Sequence, residues 1–231
     1  RIRDIVNNFE HLSFNVGPTL LAWLEPRHPD VYERIIEADR RSRGARSGHG
    51  NALAQAYNNW IHEFCSYSPD QMKFAAMLPL HDVNLACREL VRAVTELGAV
   101  GSFVRPNVLN GHYWNSNYWN PLFELHEELD VTMGFHEGTG AHNSHMNVLY
   151  GENRFYRHVA SHWIEMQQAL IAMLISGVFE FHPKLRVGYL EAQNSWVPGI
   201  LTRIEWDYPQ YRDSHAPYLS LTPKEYFQRN C

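Results

Sequence analysis

Val131-Thr132-Met133-Gly134-Phe135-His136-Glu137-Gly138-Thr139 is the stretch that decides the fold. A short apolar run ends in a histidine, a glutamate and a glycine. A strand buried on both faces of a parallel sheet has this composition where its last residues emerge at a working surface. In α/β folds chemistry gathers at the C-terminal ends of strands. That puts His136 where a metal ligand or a general base would stand. The competing reading is a hydrogen-bonded structural histidine.

The layout recurs three times. Lys73–Leu80 (KFAAMLPL) is followed by His81-Asp82, Ala99–Pro106 (AVGSFVRP) by Asn107, and Leu185–Glu191 (LRVGYLE) by Ala192-Gln193-Asn194. Four candidate strands each carry ionisable or polar residues downstream, which favours one shared site. The intervening segments have helical patterns. Asp82 is placed to cap a helix over Asn84–Leu97 with Leu85, Ala86, Leu90, Val94 and Leu97 on one face, and Gly98 suits its C-terminal cap. Pro121–Leu129 gives a shorter helix. Ser161 is placed to cap a long one to about Phe179, and Trp196–Trp206 gives another with Pro198 in its first turn. Alternating strands and helices are the signature of parallel βαβ units. The expected fold class is α/β: a partial TIM-type (β/α) barrel with a helix-rich N-terminal segment. An open doubly wound sheet is the alternative, although no Gly-rich phosphate loop follows any strand.

The chain has 231 residues, 45% hydrophobic and 13% aromatic, enough for a substantial core. A net charge of −5 without a basic stripe argues against a nucleic-acid partner. The longest apolar stretch, Ala169–Phe179, is too short to span a bilayer and is interrupted by Ser176-Gly177, so no membrane partner is expected. Three cysteines, Cys65, Cys87 and Cys231, lack metal-binding spacing and read as reduced thiols in a cytoplasmic protein. Cys65 and Cys87 fall in helical patterns as small core residues.

Nine of the fourteen histidines lie between residues 81 and 182. His142-x-x-His145 reads either as a metal-ligand pair or as part of a mobile lid. His158 and His162 have i, i+4 spacing, but a helix beginning at Ser161 would start too late to align both. His162 would still look across the strand-end surface. Solvent is the simple reading for His126 and His182.

Residues from about 56 to 231 resemble the amidohydrolase-related family typified by aminocarboxymuconate-semialdehyde decarboxylase. The matching text is Ala56–Trp60 with Phe64-Cys65, Ala75–Asp82 (AAMLPLHD), Phe103–Asn107 (FVRPN) and Phe135–Gly140 (FHEGTG). It continues with Gly177-Val178-Phe179, His182–Val187 (HPKLRV), Leu190-Glu191 and Trp196-Val197-Pro198 before Arg203. The resemblance implies a metal-dependent barrel acting as a hydrolase or carboxy-lyase on a small carboxylated substrate. It assigns His136 to a divalent metal, with zinc expected first and manganese second, held weakly if at all. Glu191 stands where many relatives have an acid/base histidine, and Arg105 where it could hold a substrate carboxylate; a structural ion pair is the other reading of Arg105. His81, Asn107, Glu137 and His162 are the expected substrate contacts. The family's His-x-His pair occurs nowhere in this sequence, and only His136 of the usual ligand set is present.

Residues 1–58 resemble instead an internal piece of glycoside hydrolase family 57. The text is Asp4–Asn8 (DIVNN), His11–Leu21 (HLSFNVGPTLL) with Trp23-Leu24, Ile36–Arg40 (IEADR) and Gly48–Asn58 (GHGNALAQAYN). The expected organisation is therefore a chimera, 1–58 joined to an incomplete barrel over 59–231, with a helix over Asn51–Phe64 crossing the junction. Three functions follow: a metal-dependent hydrolase or carboxy-lyase, a non-catalytic fragment or fusion product, and a carbohydrate-active enzyme. The expected partners are a small-molecule substrate and a second copy of the chain in a homo-oligomer.

Overall fold

A computed structural model describes residues 46–109, 111–137, 148–151 and 153–231, with Pro26 and Pro29. The His142/His145 pair and residues 1–25 lie outside the described residues. The described chain forms two compact units, one reaching Ser102 and one running from Phe103 to Cys231, divided within strand β2 (Gly101–Val104).

In the first unit, helices α1 (Arg46–Ser66) and α2 (Val83–Thr95) pack on strand β1 (Ala75–Met77) and on each other. β1 neighbours β2. Asp82 caps α2 as expected, accepting the Leu85 N–H at 3.0 Å, and Gly98 takes φ +76° beyond its end. That left-handed turn costs glycine little and a Cβ-bearing residue more. The buried face of α2 is rotated from the one the sequence suggested, comprising Val83, Ala86, Glu89, Leu90 and Ala93. Glu89 tolerates this position because it is fully engaged. Asn58 Nδ2 donates to Glu89 Oε1 at 2.7 Å, and Arg92 grips both carboxylate oxygens through Nε (2.9 Å) and Nη2 (2.7 Å). α1 runs unbroken through residues 58 and 59.

In the second unit β2, β3 (Thr132–His136) and β4 (Val187–Leu190) follow one another. β3 and β4 are parallel, with Phe135 opposite Tyr189 and His136 opposite Leu190. Helix α3 (Asn120–Glu128) carries Pro121 in its first turn, where the missing N–H costs nothing. After β3 come α4 (Arg154–Ile175) and α5 (Val178–Phe181); after β4 come α6 (Val197–His215) and α7 (Pro223–Asn230). Trp114, Trp119, Phe123, Met133, Phe135 and Phe179 are fully buried and form the core around β3. Trp114 stacks on Trp119 (centroids 4.7 Å apart) and meets Phe135 edge-on at 5.1 Å. From α7, Asn230 Nδ2 donates to the Leu185 carbonyl at 2.7 Å and anchors the entry to β4.

Two sequence expectations need correction. Ser161 does not begin the long helix. Asn153 does, accepting the Tyr156 N–H at 3.2 Å, and Ser161 lies buried in the helix interior. The helix also stops at Ile175, because Gly177 turns left-handed at φ +89° before α5 begins. His158 and His162 consequently share one face of α4, their rings 4.2 Å apart. His126 and His182 are not solvated. His126 is 1% exposed and donates from Nδ1 to the Leu122 carbonyl at 2.7 Å. His182 is held between Glu127 Oε2 (3.2 Å) and Asn120 Oδ1 (3.4 Å). Both residues close gaps between α3 and its neighbours, a role that periodicity on the residue's own helix does not reveal.

Burial pushes the His126 imidazole down to about 4, against which its bond to Leu122 acts only weakly. The neutral ring is thus the folded form. Its contribution to stability is complete above the ordinary histidine pKa of roughly 6.5 and is lost as pH falls from there toward about 4, by up to roughly 3 kcal/mol. Urea unfolding between pH 7.5 and 4 should show this acid limb in the wild type and a flatter one in His126→Leu. An identical acid limb in the variant would exclude His126 as its source.

Candidate functional site

The site is built at the C-terminal ends of β2, β3 and β4. The parallel register sets His136 beside Leu190, so the next residue of β4, Glu191, emerges against the imidazole. His136 Nε2 and Glu191 Oε2 are 3.5 Å apart. The other ring nitrogen, Nδ1, is 2.9 Å from the Glu137 carbonyl oxygen. A carbonyl only accepts, so Nδ1 carries a proton, which leaves Nε2 as the ring nitrogen that faces Glu191.

The same carbonyl receives a second donor, Arg105 Nη1, at 2.6 Å. Arg105 leaves β2 one residue past its end, and its own carbonyl is pinned by the Trp114 indole N–H at 2.7 Å. One peptide oxygen at the end of β3 therefore holds both an imidazole and a guanidinium. The side chain of Glu137 points the other way. It is 4% exposed, and Oε1 lies 2.9 Å from His162 Nε2 on α4. The distance is that of an ion pair, although the ring N–H is not aligned for a straight hydrogen bond.

Glu191 is 59% exposed and takes φ +57°, and Gln193 follows at φ +54°. Two non-glycine residues in the left-handed region within three positions cost of order 1–3 kcal/mol each. Such strain persists where the surrounding structure requires it, and here it orients the carboxylate nearest His136.

Of the other residues singled out in the sequence, Asn107 donates from Nδ2 to the Val108 carbonyl at 3.0 Å. With Tyr113, Glu165, Gln168 and His215 it borders a cavity of about 900 Å³ that His136, Arg105 and Glu191 do not line. His136, Arg105 and Glu191 converge instead at the strand ends. His81 follows β1 in the first unit, its ring so close to Gly50 that a Cβ there would lie 2.6 Å from it. Trp114 was missed in the sequence. A tryptophan in the aromatic run Tyr113–Trp119 looks like core, and its indole N–H gives no sign of holding the backbone of Arg105.

Among the described residues no group of three or more His, Cys, Asp and Glu side chains could hold a metal. His136 supplies one imidazole, whereas catalytic zinc sites normally use three protein ligands. The described residues thus do not fit a complete metal centre.

Repeated βα units whose strand ends collect an imidazole, a guanidinium and a carboxylate define a partial (β/α) barrel. The family model described as amidohydrolase matches residues 27–220, and the chain belongs to that family. The match starts well before residue 58, so it gives no support to a glycoside hydrolase piece or to a junction at Ala56–Asn58. Gamma-resorcylate decarboxylase of Rhodococcus jostii (strain RHA1) is 30% identical over 168 residues, covering 66% of this chain and 48% of that protein. Dihydroxybenzoic acid decarboxylase of Polaromonas sp. JS666, solved with bound manganese and the inhibitor 2-nitroresorcinol, has a TM-score of 0.67 and 26% identity over 81% of this chain and 57% of its own. 5-Carboxyvanillate decarboxylase of Sphingomonas paucimobilis shares the fold, with a TM-score of 0.69 at 23% identity over 80% of this chain and 54% of its own. The chain spans about half the length of the curated relatives it matches.

Proposed function

We propose that this chain carries part of a metal-dependent carboxy-lyase of the amidohydrolase superfamily, acting on a small carboxylated aromatic substrate. The observation that carries the reading is the meeting of His136, Arg105 and Glu191 around the end of β3. The decarboxylases among its relatives support the reaction type. Arg105 would hold the substrate carboxylate through its planar fork. During decarboxylation the bond from ring carbon to carboxylate breaks, its electron pair stays on the ring, and a proton must reach that carbon as CO2 leaves. Glu191, exposed beside His136, is placed to move that proton. His136 would contribute one ligand to a divalent cation. Manganese stands beside zinc as the ion to test, given the manganese in the Polaromonas relative.

Asn107 remains a proposed substrate contact, whereas His81 belongs to the first unit. The engagement of Glu137 and His162 with each other favours a supporting role for that pair. No observation favours the carbohydrate reading. The three cysteines are free thiols, the usage of a cytoplasmic protein, and among the described residues no helix is long and apolar enough to cross a membrane. Self-association as a homo-oligomer belongs to the same proposal and is read by light scattering.

The test is CO2 release from 2,6-dihydroxybenzoate and related carboxylated phenols by the reading frame that carries this chain, with added manganese or zinc. Turnover is expected, and Arg105→Lys should lower kcat/KM by ~10²-fold through a raised KM, since an ammonium cannot reproduce the fork. Absence of turnover on every carboxylated aromatic tried, with the protein folded, would leave the non-catalytic reading standing.

A further inference from the structure

We infer that His162 is a positioning residue for the rim: it fixes Glu137, and through the Glu137 peptide it sets the His136 tautomer and the seat of the Arg105 guanidinium. This deepens the proposed carboxy-lyase reading and rests on it for the catalytic consequence only.

Glu137 is 4% exposed, and a carboxylate at that depth is unstable without a cationic or donor partner. His162, reaching across from the third turn of α4, provides one at 2.9 Å. The peptide of Glu137 then has little freedom, because the side chain is held on one side and β3 ends on the other. Its carbonyl oxygen is the shared acceptor for His136 Nδ1 at 2.9 Å and Arg105 Nη1 at 2.6 Å. A rotation of that peptide would withdraw the acceptor from both groups together. His136 would lose the bond that keeps its proton on Nδ1, and the guanidinium would lose a fixed anchor. Outer groups that orient reacting groups in this manner matter by roughly 10–100-fold in activity.

Two variants test the inference. His162→Phe keeps the ring's bulk and removes the donor, while His162→Gln returns an N–H at the position of Nε2. Nitrogen-15 histidine spectra of the folded protein should show His136 as the Nδ1–H tautomer in the wild type and in His162→Gln, and a mixture of tautomers in His162→Phe. This readout needs no turnover, so it stands or falls apart from the carboxy-lyase reading. With a decarboxylated substrate in hand, His162→Phe should lower kcat/KM by ~10–100-fold and His162→Gln should restore most of it. An unchanged His136 spectrum in folded His162→Phe would overturn the inference. Should His162→Phe fail to fold, the double variant His162→Phe with Glu137→Gln replaces the buried carboxylate by a neutral amide and is measured in its place. An Nδ1–H tautomer preserved in that double variant would overturn it equally.

Discussion

Asn58→Leu is expected to destabilise the protein by about 3–5 kcal/mol, a large part of the ~5–15 kcal/mol that holds a domain together. Asn58 is completely buried. Its side-chain amide pairs with the backbone of Met77 in both directions, donating from Nδ2 to the Met77 carbonyl (2.9 Å) and accepting the Met77 N–H at Oδ1 (2.8 Å). The amide behaves as one more residue of a strand alongside β1. The same Nδ2 also steadies the buried Glu89 carboxylate. Leucine matches the volume but leaves the Met77 N–H and C=O and one Glu89 oxygen without this partner, and each stranded buried group costs about 1–3 kcal/mol. Asn59→Ala is the control. Asn59 is only half-buried and accepts a single bond from Arg92 Nη1 (2.9 Å), so a loss of about 1 kcal/mol or less is expected. Urea unfolding distinguishes the two. A cost for Asn58→Leu no larger than the control's would show that the buried amide is not what joins α1, β1 and α2.

Glu191→Gln should reduce CO2 release by ~10²–10⁴-fold while leaving the melting temperature nearly unchanged. The carboxylate is more than half exposed, so neutralising it removes little that supports the fold. What is lost is a carboxylate 3.5 Å from His136 Nε2, able to take and return a proton. Glu191→Gly separates the two effects further. Activity should fall at least as far, and stability should rise by ~1 kcal/mol, because the φ of +57° strains glutamate and suits glycine. Retention of turnover within about threefold in Glu191→Gln would remove this residue from the proton-transfer role. A loss of stability in Glu191→Gly would show that the left-handed turn carries no stored strain.

Much of the fold was legible in the sequence. All four apolar runs became strands, at Ala75–Met77, Gly101–Val104, Thr132–His136 and Val187–Leu190, since only a doubly covered strand tolerates such continuous apolar text. Asp82 and Gly98 marked the ends of α2 because capping is local chemistry. Ser161 misled for the same reason. A serine resembles a cap wherever it stands, and the choice between it and Asn153 depended on which N–H groups the fold left open. The polar residues at the strand ends were readable, but the partners of their side chains were not.

The sequence by itself determined that strands would alternate with helices and that His136, Arg105 and Glu191 would follow three of those strands, because hydrophobic periodicity and strand termini are properties of adjacent residues. Only the tertiary structure decided that one carbonyl, that of Glu137, serves both His136 and Arg105. It also decided that His162 and Trp114 stand behind them, and that His126, His182 and Glu89 are buried with partners. Most of these pairings join residues from separate elements, and their energy depends on exclusion of water and on distances of about 3 Å that no local pattern encodes.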